Sequence, residues 1–359
     1  MFQKIKNWLN TDNHLLWVSI SALMIIGLVS LYFVGVYGSV KLGMHPEYLF
    51  IKYLPYALIG LLFMIGFSCL SQKTIIRISW VWLVIGLLMM LSTVVSPTIV
   101  FGSARYVKIA RWVIDPFLIT LPAYIVLMSH WLSKKITKPL WSITGMALLT
   151  LFIVYTAFIA PHVFMAQVYS LIFILLTFKA RKNIPGLSKA YIVALLLLVA
   201  VVALAILNQP HVQARLFHTF GLPKYSSVWL SRQTISHSVL IGSTPESLKW
   251  LSILPDSSTN FMFSGILAKF GMLIGLLVLA LYGFVAKGLT RIIHDTKDTF
   301  NTFMATGTLG LLVLYVFTSV TTAFGFLIVP SVLPFVGYAP FGILVWCALF
   351  GFVLANNER

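Results

Sequence analysis

LLWVSISALMIIGLVSLYFVGV, residues 15–36, carries no charged side chain over its whole length. As a helix rising ~1.5 Å per residue, such a stretch extends roughly 33 Å, enough to cross the ~30 Å hydrocarbon core of a bilayer. A strand is far shorter, and a surface helix of a soluble domain would interleave a polar face. The stretch therefore predicts a membrane span. Comparable stretches recur at 51–69, 76–96, 112–132, 141–159, 162–178, 190–208, 261–286, 300–323 and 332–355. Ala160-Pro161-His162 interrupts an apolar region from Trp141 to Phe178 that is too long for one crossing, so two spans with a tight turn are expected there. The fold class is thus an all-α integral membrane protein, a bundle of about ten transmembrane helices forming one membrane domain over 1–359.

Composition excludes the main competing classes. Charged residues make up 9% of the chain and hydrophobic ones 60%, whereas a soluble domain carries about a quarter charged residues. The formal charge of +17 is spread over turns between spans, with no basic domain or aromatic RNA-binding pattern, so no nucleic-acid partner is expected. Cys69 and Cys347 lie in apolar segments and lack the grouping of a zinc site or a disulfide framework. The opening MFQKIKNWLN is basic and has no small-residue cleavage site, so the first span is expected to stay as an uncleaved anchor.

Placing both termini in the cytoplasm makes every short inner loop basic, through Lys4 and Lys6, Lys73 and Arg77, Lys134, Lys135 and Lys138, Lys179 to Lys189, and Lys287 to Lys297. The outer side then holds Arg105, Lys108 and Arg111, an exception to that rule, and one long noncytoplasmic loop at 209–259. Three cations at that spacing suit a phosphate-bearing headgroup or, equally, a solvated basic turn. The loop is long enough to bind a ligand or act as a lid. His211, His218 and His237 within it have no metal-ligand spacing, and no metal site is expected. Asp256 stands just before the span that starts near Phe261, where it would serve either as a helix cap with Ser258, Thr259 and Asn260 or as a base. Asp115 is expected at an interface, paired with Arg111 or Lys108, and Lys269 should face a partner helix or a cavity. Gly27, Gly60, Gly86, Gly271 and Gly310 are expected where helices pack closely.

Four stretches together carry a family resemblance. FGSARYVKIARWVIDPFLI at 101–119 is similar to NGARRWI followed by QPSE in the SEDS proteins, typified by FtsW, RodA and SpoVE, with Arg105 at the motif Arg and Tyr106 at its Trp. HVQARL at 211–216 supplies His211 and Arg215, and Gln233 and Gly242 resemble the stretch that follows. LPDSSTNFMFSGILAKFGMLIG at 254–275 is patterned on LPE, TDFIFA, EELG and a further Gly, through Thr259, Phe261, Phe263, Gly271 and Gly275. LIVPSVLPFVGYAP at 327–340 resembles the final LPFISYGG region. The segment AYIVLMSHWLSKK at 123–135 looks more like FtsW than RodA. The motifs are broken at several places: Asp115 stands for Gln, Phe117-Leu118 for Ser-Glu, Leu121 for a basic residue, Asn260 for Asp, Ala268-Lys269 for the Glu pair, and Ala339-Pro340 for the last glycines.

The resemblance implies a multi-pass protein of the bacterial inner membrane that polymerises lipid II, an undecaprenyl diphosphate-linked glycan, during cell division or wall synthesis. It implies as partners a single-pass transpeptidase (a class B penicillin-binding protein) and divisome proteins. In such a reaction a base takes the acceptor hydroxyl's proton and cations hold the departing diphosphate. The family's carboxylate position is Asn260, which cannot accept a proton like a carboxylate, with Asp256 as a surrogate four residues earlier. Substrate contacts would come from Arg105, Lys108, Arg215, Arg232, Gln233 and Lys269, with no organic cofactor and a divalent cation as an optional aid at the phosphates. The broken motifs also fit a noncatalytic scaffold for the transpeptidase, and the basic pocket and bundle fit a lipid II transporter.

Overall fold

The computed structural model describes residues 14–41, 43–96, 98–100, 103–110, 112–134, 139–181, 226–327 and 331–355. In chain order they form α1 (His14–Lys41), α2 (Tyr48–Ser68), α3 (Gln72–Val95), β1 (Thr98–Val100), β2 (Ser103–Ile109), β3 (Trp112–Ile114), α4 (Pro116–Ser133), α5 (Pro139–Ile159), α6 (Val163–Ala180), α7 (Ser227–Ser236), α8 (Pro245–Ile253), α9 (Met262–Phe270), α10 (Met272–Asp295), α11 (Thr299–Ala323) and α12 (Pro340–Ala355). Among the described residues α1, α2, α3, α4, α6, α10 and α11 are long and apolar enough to cross a membrane, and Ile143–Ile159 of α5 and α12 are shorter apolar helices. Nine of the ten expected spans therefore contain helix, while the one expected at 190–208 lies outside the described residues.

Four expectations are corrected. The span expected at 112–132 starts later, because Trp112–Ile114 closes an antiparallel three-stranded sheet of order β1-β2-β3. Ile109 pairs with Trp112, and Ala110 takes φ +52° in the two-residue connection, the left-handed backbone that such tight hairpins require. The span expected at 261–286 is two helices broken at Gly271, whose φ is +92°. Gly271 is thus a helix stop rather than a helix-packing site: an added Cβ would come within 2.7 Å of Leu240 O. The last span begins only at Pro340, after an irregular segment over 331–339. Finally, the described part of the expected loop holds α7 and α8, the latter opened by Thr244 and Ser247 in a reciprocal capping box.

The chain divides into two compact units, Met1–Leu62 with Ala214–Leu289 and Leu312–Trp346, and Phe63–Gln213 with Thr290–Leu311 and Cys347–Arg359. In the second unit α3 shows how a membrane helix sorts its faces. Val81, Val84, Ile85 and Leu88 are exposed large apolar residues, whereas Ser79, Gly86 and Thr93 are buried. Lipid is as apolar as leucine, so small residues that allow close backbone approach mark the packed side. A Cβ at Gly86 would overlap the Thr120 side chain of α4, and one at Gly310 would overlap Leu175 of α6, as expected for helix-packing glycines. Buried hydroxyls join the same helices: Tyr124 shares a hydrogen bond with Thr150 at 2.8 Å, and Tyr169 donates to Phe117 O at 2.7 Å.

In the first unit Ser231 of α7 donates to Ala323 O at the end of α11 and shares a 2.6 Å hydrogen bond with Ser264 of α9. All three polar atoms belong to buried residues, so leaving one unpaired would be costly. Backbone bonds from Gly242 N to Phe270 O, Met272 N to Val239 O and Leu273 N to Leu240 O satisfy the helix ends that the break at Gly271 creates. α1 packs on the segment after α11, where Gly27 faces Phe335 O and Val336 Cα.

Candidate functional site

Two polar constellations stand out, one in each unit. In the second unit Asp115 sits between β3 and α4. Asp-Pro is a natural helix start, since Asp caps the free N–H groups and Pro fits the first turn. Its Oδ1 accepts from Phe117 N at 3.0 Å and Leu118 N at 3.2 Å. Its Oδ2 bonds His162 Nε2 at 2.9 Å, a pair whose side chains are 15% and 5% exposed. The expected partners of Asp115 were Arg111 and Lys108. Arg111 lies outside the described residues, Lys108 is exposed, and the partner found is His162. Burial pushes the Asp115 carboxyl upward, but the His162 bond, the nearby Arg105 charge and Leu118 N–H outweigh it and hold the group below its usual range.

Arg105 is half-buried on β2; its Nη2 donates to Tyr106 OH at 2.7 Å and its guanidinium lies 4.9 Å from the Tyr106 ring centre. Its Nε is buried without a hydrogen-bond partner among the described residues. Lys108 does not join it. Three residues along a strand reverse the face, so Cβ of Arg105 and of Lys108 leave β2 on opposite sides. His162, just before α6, is the residue that sequence reading passed over; a histidine directly after Pro161 within a long apolar region was the available signal.

The other constellation is the turn at 255–261. Asp256 is exposed with φ +53°, and its carbonyl accepts from Thr259 N and Phe261 N, both at 3.0 Å. Asn260 Nδ2 donates to Asp256 Oδ2 over 3.4 Å, a long bond that nonetheless puts the amide and the carboxylate side by side. The capping alternative fails: α9 has Phe261 at its N-cap and no side-chain cap bond. A non-glycine residue in the left-handed region costs about 1–3 kcal/mol unless its side chain compensates, and Asp tolerates it better than most.

The same unit brings two of the motif segments together. Tyr338 N donates to Ser258 O at 2.8 Å, and a Cβ on Gly337 would lie 3.3 Å from Thr259 O. Phe335 also takes a left-handed φ, +65°, which bends the 331–339 segment toward this turn. Lys269, near the end of α9, lies 5.8 Å from the Phe33 ring centre, a cation–π contact with a neighbouring helix. Arg232 is exposed and spreads its methylenes over Gly325, where an added Cβ would come within 2.6 Å of Arg232 Cδ. Gln233 is half-buried next to it, its backbone carbonyl bonded to the His237 ring at 2.8 Å. Arg215 lies outside the described residues.

These features define a polytopic helical membrane protein with an anchored carboxylate beside an arginine in one unit and a carboxylate–amide turn in the other. The profile of the FtsW, RodA and SpoVE family of cell cycle proteins matches residues 13–358, and the chain belongs to that family. Among curated proteins it is similar to the peptidoglycan glycosyltransferase MrdB of Escherichia coli strain K12 and of Shigella flexneri, 32% identical over 110 residues. That match spans 30% of this chain and 30% of each relative. Among solved structures it superposes on one chain of a peptidoglycan synthase complex that coordinates polymerization and crosslinking, with TM-score 0.75 and 19% identity over 98% of both chains. It also superposes on the rod shape determining protein RodA of Thermus thermophilus, with TM-score 0.70 and 18% identity over 98% of both chains. Those named individually are MrdB and RodA, so family membership is shown without the narrower FtsW likeness.

Proposed function

We propose that this protein is a peptidoglycan glycosyltransferase that polymerises lipid II at the outer face of the bacterial inner membrane, with both termini in the cytoplasm. The observation that supports the reading is the 3.4 Å bond between Asn260 and Asp256, which sets a carboxylate beside the amide at the position where the resemblance expects one. In the proposed step Asp256 takes the proton of the acceptor sugar hydroxyl as its oxygen bonds the donor's anomeric carbon. The bond from that carbon to the diphosphate breaks, and undecaprenyl diphosphate leaves with the electron pair. Asn260 orients Asp256; Arg105 and Arg215 are the groups proposed to meet the phosphate charge, because a guanidinium fork matches phosphate oxygens, and the opposite strand face of Lys108 takes it out of that role. The proposed role is wall polymerisation in the sense common to FtsW and RodA.

The second reading, a noncatalytic scaffold, draws on the apolar replacements: Ala268 and Leu121 are both fully buried where the family carries charge. Purified protein given lipid II and a class B penicillin-binding protein whose own transglycosylation is absent should yield glycan chains on a gel. A complex that assembles but makes no polymer, with or without Asn260→Asp, would establish the scaffold reading instead.

We propose as the seat of the transpeptidase's membrane segment the open apolar groove of about 350 Å³ between α10 and α11, lined by Leu279, Gly283, Ala286, Val313, Val316 and Phe317. A Cβ at Gly283 would meet nothing within 4 Å, so a larger side chain there fits the folded chain while filling the groove. We expect Gly283→Trp to keep the parental melting temperature and to lose co-purification of the single-pass transpeptidase. Retained co-purification would place the partner elsewhere.

A further inference from the structure

We propose that His162 is a positioning residue for Arg105: by engaging Asp115 it keeps this carboxylate from closing on the guanidinium, which stays available for a diphosphate. The inference rests on the assignment of Arg105 to the lipid diphosphate. Its starting point is an arginine and an aspartate at the same end of the β2–β3 ladder, where Val107 pairs with Ile114, with no ion pair formed between them.

Left to themselves, a guanidinium and a carboxylate form a bidentate pair that uses up the donors a phosphate would need. Here each acceptor of Asp115 already has a partner. Oδ1 is held by two backbone N–H groups at the start of α4, and Oδ2 by His162 Nε2 at 2.9 Å. His162 cannot easily swing away. The residue is 4% exposed, its ring meets Phe117 edge-on with centroids 5.6 Å apart, and its backbone carbonyl accepts from Ala166 N in the first turn of α6. Arg105 is steered from the other side by Tyr106, and among the described residues its Nε is left without a partner. Among the described residues His162 Nδ1 is likewise buried without one, so the bond to Asp115 is the one that fixes the ring. Asp115 is therefore held by its own partners and leaves the guanidinium unoccupied.

The test uses the full-length chain in nanodiscs and radiolabelled undecaprenyl diphosphate as the probe. His162→Ala frees Oδ2 to turn toward Arg105 and is expected to weaken binding about tenfold, the scale of one charge-assisted hydrogen bond. Adding Asp115→Asn removes the competing charge while keeping a cap oxygen, and should restore most of that loss. His162→Gln keeps an N–H donor for Asp115 and should bind as the parent does. A purely structural role for His162 predicts the reverse pattern, with the double variant no better than His162→Ala, and that result would overturn the proposal. Arg105→Ala separates the two levels. If it abolishes binding while His162→Ala does not weaken it, the positioning role falls and the diphosphate assignment stands. Unchanged binding by Arg105→Ala would remove both.

Discussion

Asp256→Asn is expected to lower lipid II polymerisation by about 10²–10⁴-fold, the usual contribution of a general base. The substitution is clean because Asn, like Asp, accepts the left-handed backbone that position 256 adopts at φ +53°. It also keeps an oxygen toward Asn260 Nδ2, so the turn closed by Thr259 N and Phe261 N has no reason to open. Only the capacity to take a proton is lost. The companion variant Asn260→Asp returns a carboxylate to the family position and, in the Asp256→Asn background, should recover much of the rate. Both are read by polymer yield per unit time with the melting temperature as control. Polymerisation indifferent to Asp256→Asn would eliminate Asp256 as the base.

The second large effect is on stability. Gly27→Ala places a methyl carbon 2.4 Å from Phe335 O and 2.8 Å from Val336 Cα, both backbone atoms that cannot rotate away. Overpacking commonly costs about 1–3 kcal/mol, and an obstacle of main chain rather than side chain puts this site at or above the top of that range. The damage should reach the candidate site, because the pressed segment leads to Tyr338, whose N–H binds Ser258 O two residues from Asp256. Gly66→Ala is the matched control: its Cβ meets nothing within 4 Å, and helix propensity favours alanine by about 1 kcal/mol. Thermal unfolding in detergent should show a clear drop for Gly27→Ala and none for Gly66→Ala. Equal melting of Gly27→Ala and parent would mean that α1 does not need close approach there.

Two charged side chains, Asp115 and Lys269, sit at helix ends. Asp115 caps the start of α4 and shares a 2.9 Å hydrogen bond with His162, and Lys269, near the end of α9, meets the Phe33 ring. At a helix start backbone N–H groups satisfy a carboxylate at least cost.

The spans were legible in the sequence because bilayer thickness imposes a length on any uncharged helix, and residues 15–36 or 300–323 satisfy it without reference to any other part of the chain. The helix start at Asp115-Pro116 is local chemistry too, but the expected span began at 112 because Trp112–Ile114 is as apolar as the helix it precedes. Breaks at Gly271 and Pro340 were hidden, since apolar composition continues through them and only backbone geometry records the change. The hairpin at 103–114 was hidden because Arg105 and Lys108 invite a charge-cluster reading, while strand alternation sends them apart. What belonged wholly to tertiary structure are the contacts between residues distant in sequence: His162 with Asp115 across 47 positions, Ser231 with Ala323, and Gly27 with the bend at Phe335. Asp256 stands between the two cases. Its spacing from Asn260 could be read, but whether it capped a helix or faced the amide depended on a left-handed turn stabilised by carbonyl bonds that no periodicity announces. Hydrophobic length is a one-dimensional property matched to a solvent; the pairing of polar groups inside a bundle is set by which helices the chain brings together.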